Sequence, residues 1–433
     1  MKMKIGMIGL SHLGLIFTAG FAKLGYEIVA VDQDAAAIAK EISNDTLRVI
    51  EVGLTDLLKS GVSENRICFT SNFSLLGDCQ IAILSLDTPL DDSENLNLEP
   101  VFQLVDLAIP YLATEALFLI SSQIVVGTCD LIQEKINQQK PEDNIEVVYF
   151  PENLRVGQAI EYFFRADRFI IGAKTQKAYE KISQLLNKIE APKIHMDIKS
   201  AEISKHALNT FLALQVSFIN EIAEICDACG ADITKVAEAL KSDSRIGSRA
   251  YFNAGIGITS PPIIREIKTI MRLARENNLN LAVVNGILET NCKQQKKIVE
   301  MLKTALGTPL TGKRVGVFGL SYKEGTGFTG KSAAPFIVSE LESSGIHCQI
   351  YQPIILETQH FNSTDSPYST SRDCNALLFL NPEKEFLDLD FDKIKDLMLE
   401  PKIIFDARNF LPKSDLETKG FLYLAIGRGR RKS

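Results

Sequence analysis

The sequence lacks an apolar run of the about 18 residues that a membrane-spanning helix needs, and its eight cysteines are few for 433 residues. No secretory leader is recognisable, so we expect reduced thiols, a cytoplasmic location and no membrane partner. The basic surplus of a nucleic-acid-binding surface is also missing, because the net charge is −7. Cys226 and Cys229 form a CxxC inside a helical pattern with no second pair, so we predict no metal site.

The first 32 residues show the order strand, glycine-rich turn, helix, strand and acidic residue. Residues 4–14 read KIGMIGLSHLG, and a second strand at 27–31 ends at Asp32, 18 residues after Gly14. In a dinucleotide-binding βαβ unit the helix N-terminus faces the pyrophosphate and the acid binds the ribose hydroxyls. We therefore predict an NAD site, because a carboxylate repels the 2′-phosphate of NADP. Ser11 replaces the middle glycine of the fingerprint and adds a side chain near the phosphates, and a βαβ unit without cofactor remains the alternative.

Further strands of the parallel type are predicted at 80–86, 117–121, 146–149 and 168–172. Thr88 and Gln123 each follow one of these strands. They should lie at the carboxyl edge, where open α/β sheets bind ligands.

The second half of the chain partly repeats the first. Residues 314–321 read RVGVFGLS against KIGMIGLS at 4–11. A second Rossmann-like domain is therefore predicted after a boundary at 311–313. Its second strand, at 347–351, ends in Gln352 instead of an acid, so this copy should not hold a dinucleotide in the same manner.

Residues 201–221 read as one long helix that is apolar on nearly all faces, as expected for a helix covered by protein on all sides. Lys205 and Asn209 lie four residues apart and so share one face. A buried ammonium and amide require partners. The pair is either a satisfied structural contact or a polar site that faces a ligand.

Over nearly the whole chain these motifs resemble the UDP-glucose/GDP-mannose 6-dehydrogenase family. The resemblance rests on the first βαβ unit, on Thr88-Pro89, on the loop 151–155 and on the central-helix pattern around Lys205 and Asn209, together with the stretches 243–247, 319–323 and 406–409. It implies two doubly wound Rossmann-like domains joined by a long central helix and a helical dimerisation region. The implied domains are an NAD domain at 1–197, a central domain at 198–308 and a UDP-binding domain at 309–433.

The resemblance also gives the candidate site residues. The candidates for cofactor binding are Gly9, Ser11, His12, Leu13, Gly14, Asp32, Thr88, Gln123 and Lys331. The candidates for substrate binding are Leu154, Arg155, Arg245, Tyr251, Gly257 and Lys323. The candidate catalytic residues are Lys205, Asn209, Glu152 and Ser260. His12 and Tyr251 also have structural interpretations, as a packed or solvent-facing turn residue and as part of an aromatic core pair.

The sequence departs from the family pattern where the chemistry is expected. Ser260 stands at the position of the nucleophilic cysteine, and Ile264 stands at that of its aspartate partner. Other departures are Gln123 for a threonine, Val156 for a glutamate and Gly330 for an arginine that Lys331 could replace. Because a serine hydroxyl is a much weaker nucleophile than a thiol and needs an adjacent base, covalent capture of an aldehyde should be lost.

Three functions fit this sequence. The first is a single two-electron oxidation of a nucleotide sugar by NAD, with Lys205, Asn209 and Glu152 at the reacting hydroxyl. The second is the complete oxidation to a sugar acid without a covalent intermediate. The third is a non-catalytic protein that binds a nucleotide sugar. By resemblance the substrate is a UDP-sugar, and the central helix pairs two copies of the chain into a homodimer.

Overall fold

The computed structural model describes residues 3–47, 49, 51–91, 96–151, 154–155, 157–321, 333–353 and 362–429. The chain divides into two compact units, Met1–Ala207 and Leu208–Ser433. Within the described residues, no helix has both the length and the apolar character needed to cross a bilayer.

An eight-stranded sheet forms the centre of the first unit. Its strands are β1 (Lys4–Ile8), β2 (Glu27–Val31), β3 (Ile67–Thr70), β4 (Ile81–Leu84), β5 (Leu117–Ile120), β6 (Glu146–Tyr149), β7 (Phe169–Gly172) and β8 (Lys193–Met196). They are ordered β3-β2-β1-β4-β5-β6-β7-β8. The prediction of a parallel strand at 168–172 is wrong in direction, because β7 pairs antiparallel with β6. The chain enters β7 from the opposite end after a short helix.

Helices cover both faces of this sheet. They are α1 (His12–Lys23), α2 (Ala35–Ser43), α3 (Leu54–Ser63), α4 (Glu99–Ala108), α5 (Thr128–Gln139), α6 (Ala159–Phe164) and α7 (Gln176–Leu185). Ten consecutive residues of α1 are buried, because the helix lies between the sheet, α3 and α6. Apolar strands covered on both sides are typical of doubly wound folds.

The long helix α8 (Ile198–Cys229) has 32 residues and extends beyond the predicted range at both ends. The expectation that protein covers it on all sides is wrong for the single chain. Phe211 is 55% exposed, Phe218 43% and Ile225 61%. These side chains lie seven residues apart and therefore follow one stripe of the helix.

The second unit contains a helical part and a five-stranded parallel sheet. After α8 come α9 (Ile233–Ser242), α10 (Pro261–Glu276) and α11 (Ala282–Leu306). The Rossmann-like part has β9 (Arg314–Phe318), α12 (Ala334–Ser343), β10 (His347–Tyr351), α13 (Pro367–Ser371), β11 (Ala376–Phe379), α14 (Phe391–Leu397), β12 (Ile403–Asp406), α15 (Lys413–Thr418) and β13 (Leu422–Ala425). The strand order is β10-β9-β11-β12-β13. The predicted fold class, two Rossmann-like domains and a long central helix, is confirmed.

Candidate active site

The turn between β1 and α1 has the geometry of a phosphate-binding turn. Gly9 has φ +83°, and a Cβ atom at Gly14 would lie 2.0 Å from the carbonyl oxygen of Gly9. Only glycine permits this approach of the helix to the strand. The Leu13 side chain is buried in the core beside it, so Leu13 can offer a cofactor only its backbone.

Asp32 follows β2 and reaches back to this turn. Its Oδ2 accepts a hydrogen bond of 2.7 Å from the Leu10 amide, and its Oδ1 accepts one of 3.0 Å from the Asp34 amide. The carboxylate is therefore fixed at the carboxyl edge of the sheet, beside the switch point between β1 and β4.

The Ser11 side chain forms two hydrogen bonds with the backbone outside the turn. Its hydroxyl donates to the Ser85 carbonyl at 3.1 Å and accepts from the Asp87 amide at 2.9 Å. The side chain that the sequence places near the phosphates thus joins the turn to the segment that follows β4.

His12 contacts a buried carboxylate that the sequence did not reveal. Its Nε2 lies 2.8 Å from Glu51 Oε1, and the Glu51 side chain is fully buried. Glu51 also accepts from the amides of Gly157 at 2.6 Å and Ala159 at 3.0 Å, at the start of α6. Although burial raises the pKa of Glu51, the hydrogen bonds from His12, Ala159 and Gly157 outweigh it, so that this pKa lies below its ordinary value.

Two further predicted cofactor residues meet at the carboxyl edge. The hydroxyl of buried Thr88 donates to the Gln123 carbonyl at 2.6 Å. Nearby, the Ser121 hydroxyl donates to the Phe150 carbonyl at 2.6 Å. The segments after β4, β5 and β6 are therefore tied together where a ligand is expected.

The first turns of α8 anchor the segment that carries Gln123. Buried Glu202 accepts from the Gly127 amide at 2.6 Å and from the Cys129 amide at 3.0 Å, at the start of α5. Lys205, one turn later, is also buried, whereas Asn209 is half-buried. Their spacing in a continuous helix places both on one face.

The loop after β6 contributes Leu154 and Arg155. Leu154 packs against the core of the first unit, and the exposed Arg155 guanidinium lies 4.3 Å from the centroid of the Tyr162 ring. The candidates Glu152, Lys323 and Lys331, and the departures Val156 and Gly330, lie outside the described residues.

In the second unit, buried carboxamides fix the glycine-rich loop before Ser260. Asn220 Oδ1 accepts from the Gly255 amide at 2.8 Å, and Asn291 Oδ1 accepts from the Ile258 amide at 2.6 Å. A Cβ atom at Gly257, which has φ +92°, would lie 2.3 Å from Asn291 Oδ1. Gly257 is therefore required by the close approach of α11, whatever its contact with substrate.

Ser260 and Ile264 lie at the start of α10. Ser260 is the partly exposed N-cap residue, and its side chain makes no cap hydrogen bond with the described backbone. Ile264 packs against the apolar cluster that contains Ala213 and Ile267. The position of the family aspartate is thus part of an apolar contact.

Arg408 is a polar residue near Ser260 that the sequence reasoning did not assign to the site. It follows β12 and donates through Nη2 to the Thr259 hydroxyl at 3.1 Å and through Nε to the Leu380 carbonyl at 3.0 Å. Its only sequence signal is its place in the stretch 406–409.

The two remaining substrate candidates lie on the loop after α9. Exposed Arg245 forms a two-point contact with Asp243, at 3.0 Å from Nε to Oδ1 and 2.6 Å from Nη2 to Oδ2. This contact lowers the pKa of Asp243. Tyr251 is exposed, and its amide donates to Gln215 Oε1 at 2.7 Å.

All eight cysteines are free thiols, and five of them are buried. Burial raises the pKa of Cys79 to about 11 and the pKa values of Cys348 and Cys374 to about 12. Burial also raises the pKa values of Cys129 and Cys226. A protonated thiol is a poor nucleophile, so none of these five replaces a catalytic thiolate.

Three family profiles match the chain in sequence. The NAD-binding, central and UDP-binding domains of the UDP-glucose/GDP-mannose dehydrogenase family match residues 3–190, 199–293 and 316–413. The chain belongs to this family. It is an NAD-dependent nucleotide-sugar dehydrogenase.

Individual members of the UDP-glucose/GDP-mannose dehydrogenase family resemble the chain over its whole length. The UDP-glucose 6-dehydrogenase TuaD of Bacillus subtilis is 32% identical over 98% of this chain and 93% of its own. A UDP-glucose 6-dehydrogenase of Rhizobium meliloti is 28% identical over 98% and 100%. The structure of a UDP-glucose dehydrogenase from Pyrobaculum islandicum has the same fold, with a TM-score of 0.88 at 23% identity over 100% of this chain and 98% of that one.

The residues around the first turn fit NAD. The start of α1 packs against Gly9 with no room for a Cβ atom at position 14, and the carboxylate of Asp32 lies beside this turn. These are the features that an NAD pyrophosphate and its ribose hydroxyls would require. In the second copy of the motif, Gln352 Oε1 accepts from the amides of Leu320 and Ser321 at 2.6 and 3.2 Å. This copy lacks the ribose-binding charge.

Replacing Glu51 by Gln should lower the free energy of unfolding at pH 7 by about 1.5–3 kcal/mol. Glu51 accepts hydrogen bonds through both carboxylate oxygens, whereas the amide has one acceptor oxygen, and this neutral acceptor is also the weaker one. The pKa of Glu51 is lowered in the folded protein. Its stabilisation is therefore complete above the unfolded pKa of about 4.3 and is lost as the pH falls through the folded pKa. Urea unfolding, followed by circular dichroism, measures the free energy of unfolding of both proteins. The difference between E51Q and wild type should become smaller below about pH 4.

Glu142→Gln is the control, because Glu142 is exposed. It should match wild type at every pH. A constant difference between E51Q and wild type down to pH 3 contradicts the role given to the Glu51 charge.

Proposed function

We propose that this dehydrogenase carries out one two-electron oxidation, of a CH–OH group of a nucleotide sugar to a carbonyl. The observation that supports this is the start of α10, where Ser260 replaces a thiol and Ile264 packs in an apolar cluster. Five of the thiols elsewhere in the chain are buried and protonated. A second oxidation by covalent capture has no thiol nucleophile at this position.

The proposed step needs three contributions from the chain. Lys205 stabilises the developing oxyanion, Asn209 positions it, and Glu152 takes the hydroxyl proton through a water. Bound NAD⁺ supplies the hydride acceptor, so the alcohol loses one hydride and one proton and becomes an aldehyde or ketone. The burial of Lys205 supports its role, because a cation in a low-dielectric place acts more strongly on a neighbouring negative charge.

The substrate in this proposal is a UDP-sugar. Its support is the match of residues 316–413 to a UDP-binding domain and the substitution of the ribose-binding acid by Gln352 in the second Rossmann-like part. We propose the division into an NAD domain at 1–197, a central domain at 198–308 and a UDP-sugar domain at 309–433. The eight free cysteines favour a cytoplasmic location.

A complete oxidation to the sugar acid is the second candidate. It is favoured by the likeness to TuaD, which is called a UDP-glucose 6-dehydrogenase. In this chain a hydrated aldehyde would have to yield the second hydride without a covalent link, or Ser260 would have to act in place of the thiol.

The number of NADH molecules formed per sugar consumed distinguishes these functions. We expect one NADH per sugar when the purified protein is incubated with NAD⁺ and a panel of UDP- and GDP-sugars, measured by absorbance and by chromatography of the sugar. Two NADH per sugar indicates the sugar-acid function. Binding of a nucleotide sugar without formation of NADH indicates the non-catalytic function.

Ser260→Ala should leave the one-to-one ratio and the rate nearly unchanged. If Ser260 were the nucleophile, the variant would be inactive.

Lys205→Ala should lower kcat by about 100- to 1000-fold, the usual effect of removing an oxyanion-stabilising group. The affinity for NADH, measured by calorimetry, should stay near that of wild type because the cofactor turn is untouched. Lys199→Ala is the matched control, since Lys199 is an exposed lysine at the start of the same helix. Turnover that survives the Lys205 substitution contradicts the proposed role.

We also propose that the stripe of Phe211, Phe218 and Ile225 pairs α8 with a second copy of the chain. Three large apolar side chains on one exposed stripe are costly in water, and seven-residue spacing suits helix–helix packing. A twofold interface presents the same stripe from both copies.

Ile225→Glu should convert a dimer into a monomer in sedimentation velocity, because each copy would bury a carboxylate without a partner in an apolar interface. Leu131→Glu is the control. Leu131 is similarly exposed on α5 and lies outside the stripe. A wild-type monomer, or a dimer that resists the Ile225 substitution, rules out this interface.

A further inference from the structure

A carboxylate of the chain already occupies the start of α1. Asp87 lies three residues after β4, and its Oδ2 accepts from the backbone amide of His12 at 3.1 Å. His12 is the first residue of the 12-residue helix α1. The first amide of the helix that should face the cofactor therefore donates to an internal anion.

Asp87 is held there by reciprocal contacts. Its own amide donates to the Ser11 hydroxyl at 2.9 Å, and that hydroxyl donates in turn to the Ser85 carbonyl at 3.1 Å. Because these bonds use the backbone of Asp87, the chain keeps its path even when the carboxylate turns away. The side chain itself is exposed to solvent.

The place that the carboxylate occupies is the one that a dinucleotide diphosphate uses. The first amides of a helix have no partner within the helix, and the helix dipole adds partial positive charge there. Both features favour any anion, which is why pyrophosphates bind at such termini. A carboxylate at His12 competes for the same donors and repels a second anion.

We propose that Asp87 is an internal competitor of the NAD pyrophosphate. Asp87 stabilises α1 in the free protein and must release the His12 amide before the diphosphate binds. Ser11, which departs from the glycine fingerprint, is the residue that keeps Asp87 at this position. The inference rests on the proposed NAD site of the first unit. It does not depend on the number of hydride transfers or on the identity of the sugar.

Asp87→Asn tests the competition directly. The amide retains the size of the side chain and removes its charge. NADH should therefore bind about three- to tenfold more tightly, because the carboxylate no longer repels the diphosphate and no longer competes for the N-terminus of α1. At about 1 M salt, where the Debye length is about 3 Å, the difference between variant and wild type should shrink. Isothermal titration of NADH into the full chain measures both effects without turnover.

The melting temperature of the free protein provides the second readout. Asp87→Asn should lower it slightly, because α1 loses an anion at its N-terminus. Tighter cofactor binding together with lower stability is the signature of competition, since a purely structural role would weaken both. The binding of UDP, measured in the same way, should not change.

Asp78→Asn is the matched control. It removes an equal charge from an exposed site, where Asp78 pairs with Lys4 at the start of β1, away from the carboxyl edge. Its NADH affinity should equal that of wild type. Unchanged or weaker NADH binding in Asp87→Asn overturns the proposal, as does an equal gain in the Asp78 variant or the absence of NADH binding in both wild type and Asp87→Asn.

Discussion

The close contact between the start of α1 and the end of β1 is the constraint on which the predicted cofactor site depends. The helix can approach the strand only because position 14 has no side chain, since a Cβ atom there would meet the Gly9 carbonyl at 2.0 Å. This approach brings the Leu10 amide to Asp32 and the His12 ring to Glu51. Through Glu51 the same contact reaches the amides of Gly157 and Ala159, so the cofactor turn and the end of the loop after β6 are held by one set of bonds.

The two Rossmann-like parts share one turn geometry but differ in charge. In both, the residue after the second strand accepts a hydrogen bond from the amide that follows the turn glycine, through Asp32 in the first and Gln352 in the second. The backbone turn is satisfied in the same way in each. The difference is charge, because only the carboxylate is a strong acceptor for ribose hydroxyls.

The sequence predicted the features that depend on neighbouring residues. The order strand, turn, helix and strand, which occurs twice in the sequence, predicted β2 and β10 with the bounds that the structure has. The spacing of Lys205 and Asn209 predicted their common face. The strands β3, β8 and β13 were not predicted. They lie at the edges of their sheets and each contains at least one exposed residue, so their apolar signal is weaker than that of the buried strands. The direction of β7 is set by pairing with β6 and has no local signal.

The polar contacts of the candidate site were harder to predict because they join distant parts of the chain. Glu51 and His12 are 39 residues apart, and Asp87 and His12 are 75 apart. The close approach of Asn291 to Gly257 likewise depends on how α11 packs against a loop. Residue types in a turn can suggest a ligand, but only tertiary packing shows which side chains of the protein already occupy its place.

The state of the thiols has a consequence for the chemical durability of the protein. An enzyme that relies on a thiolate exposes it to peroxide and to alkylating compounds. In this chain a serine stands at that position, and the five buried sulfurs remain protonated at neutral pH. Reagents that modify sulfur would therefore react first with the exposed Cys68, Cys229 and Cys292. Oxidation would modify the surface of the protein before it affected the residues of the proposed reaction.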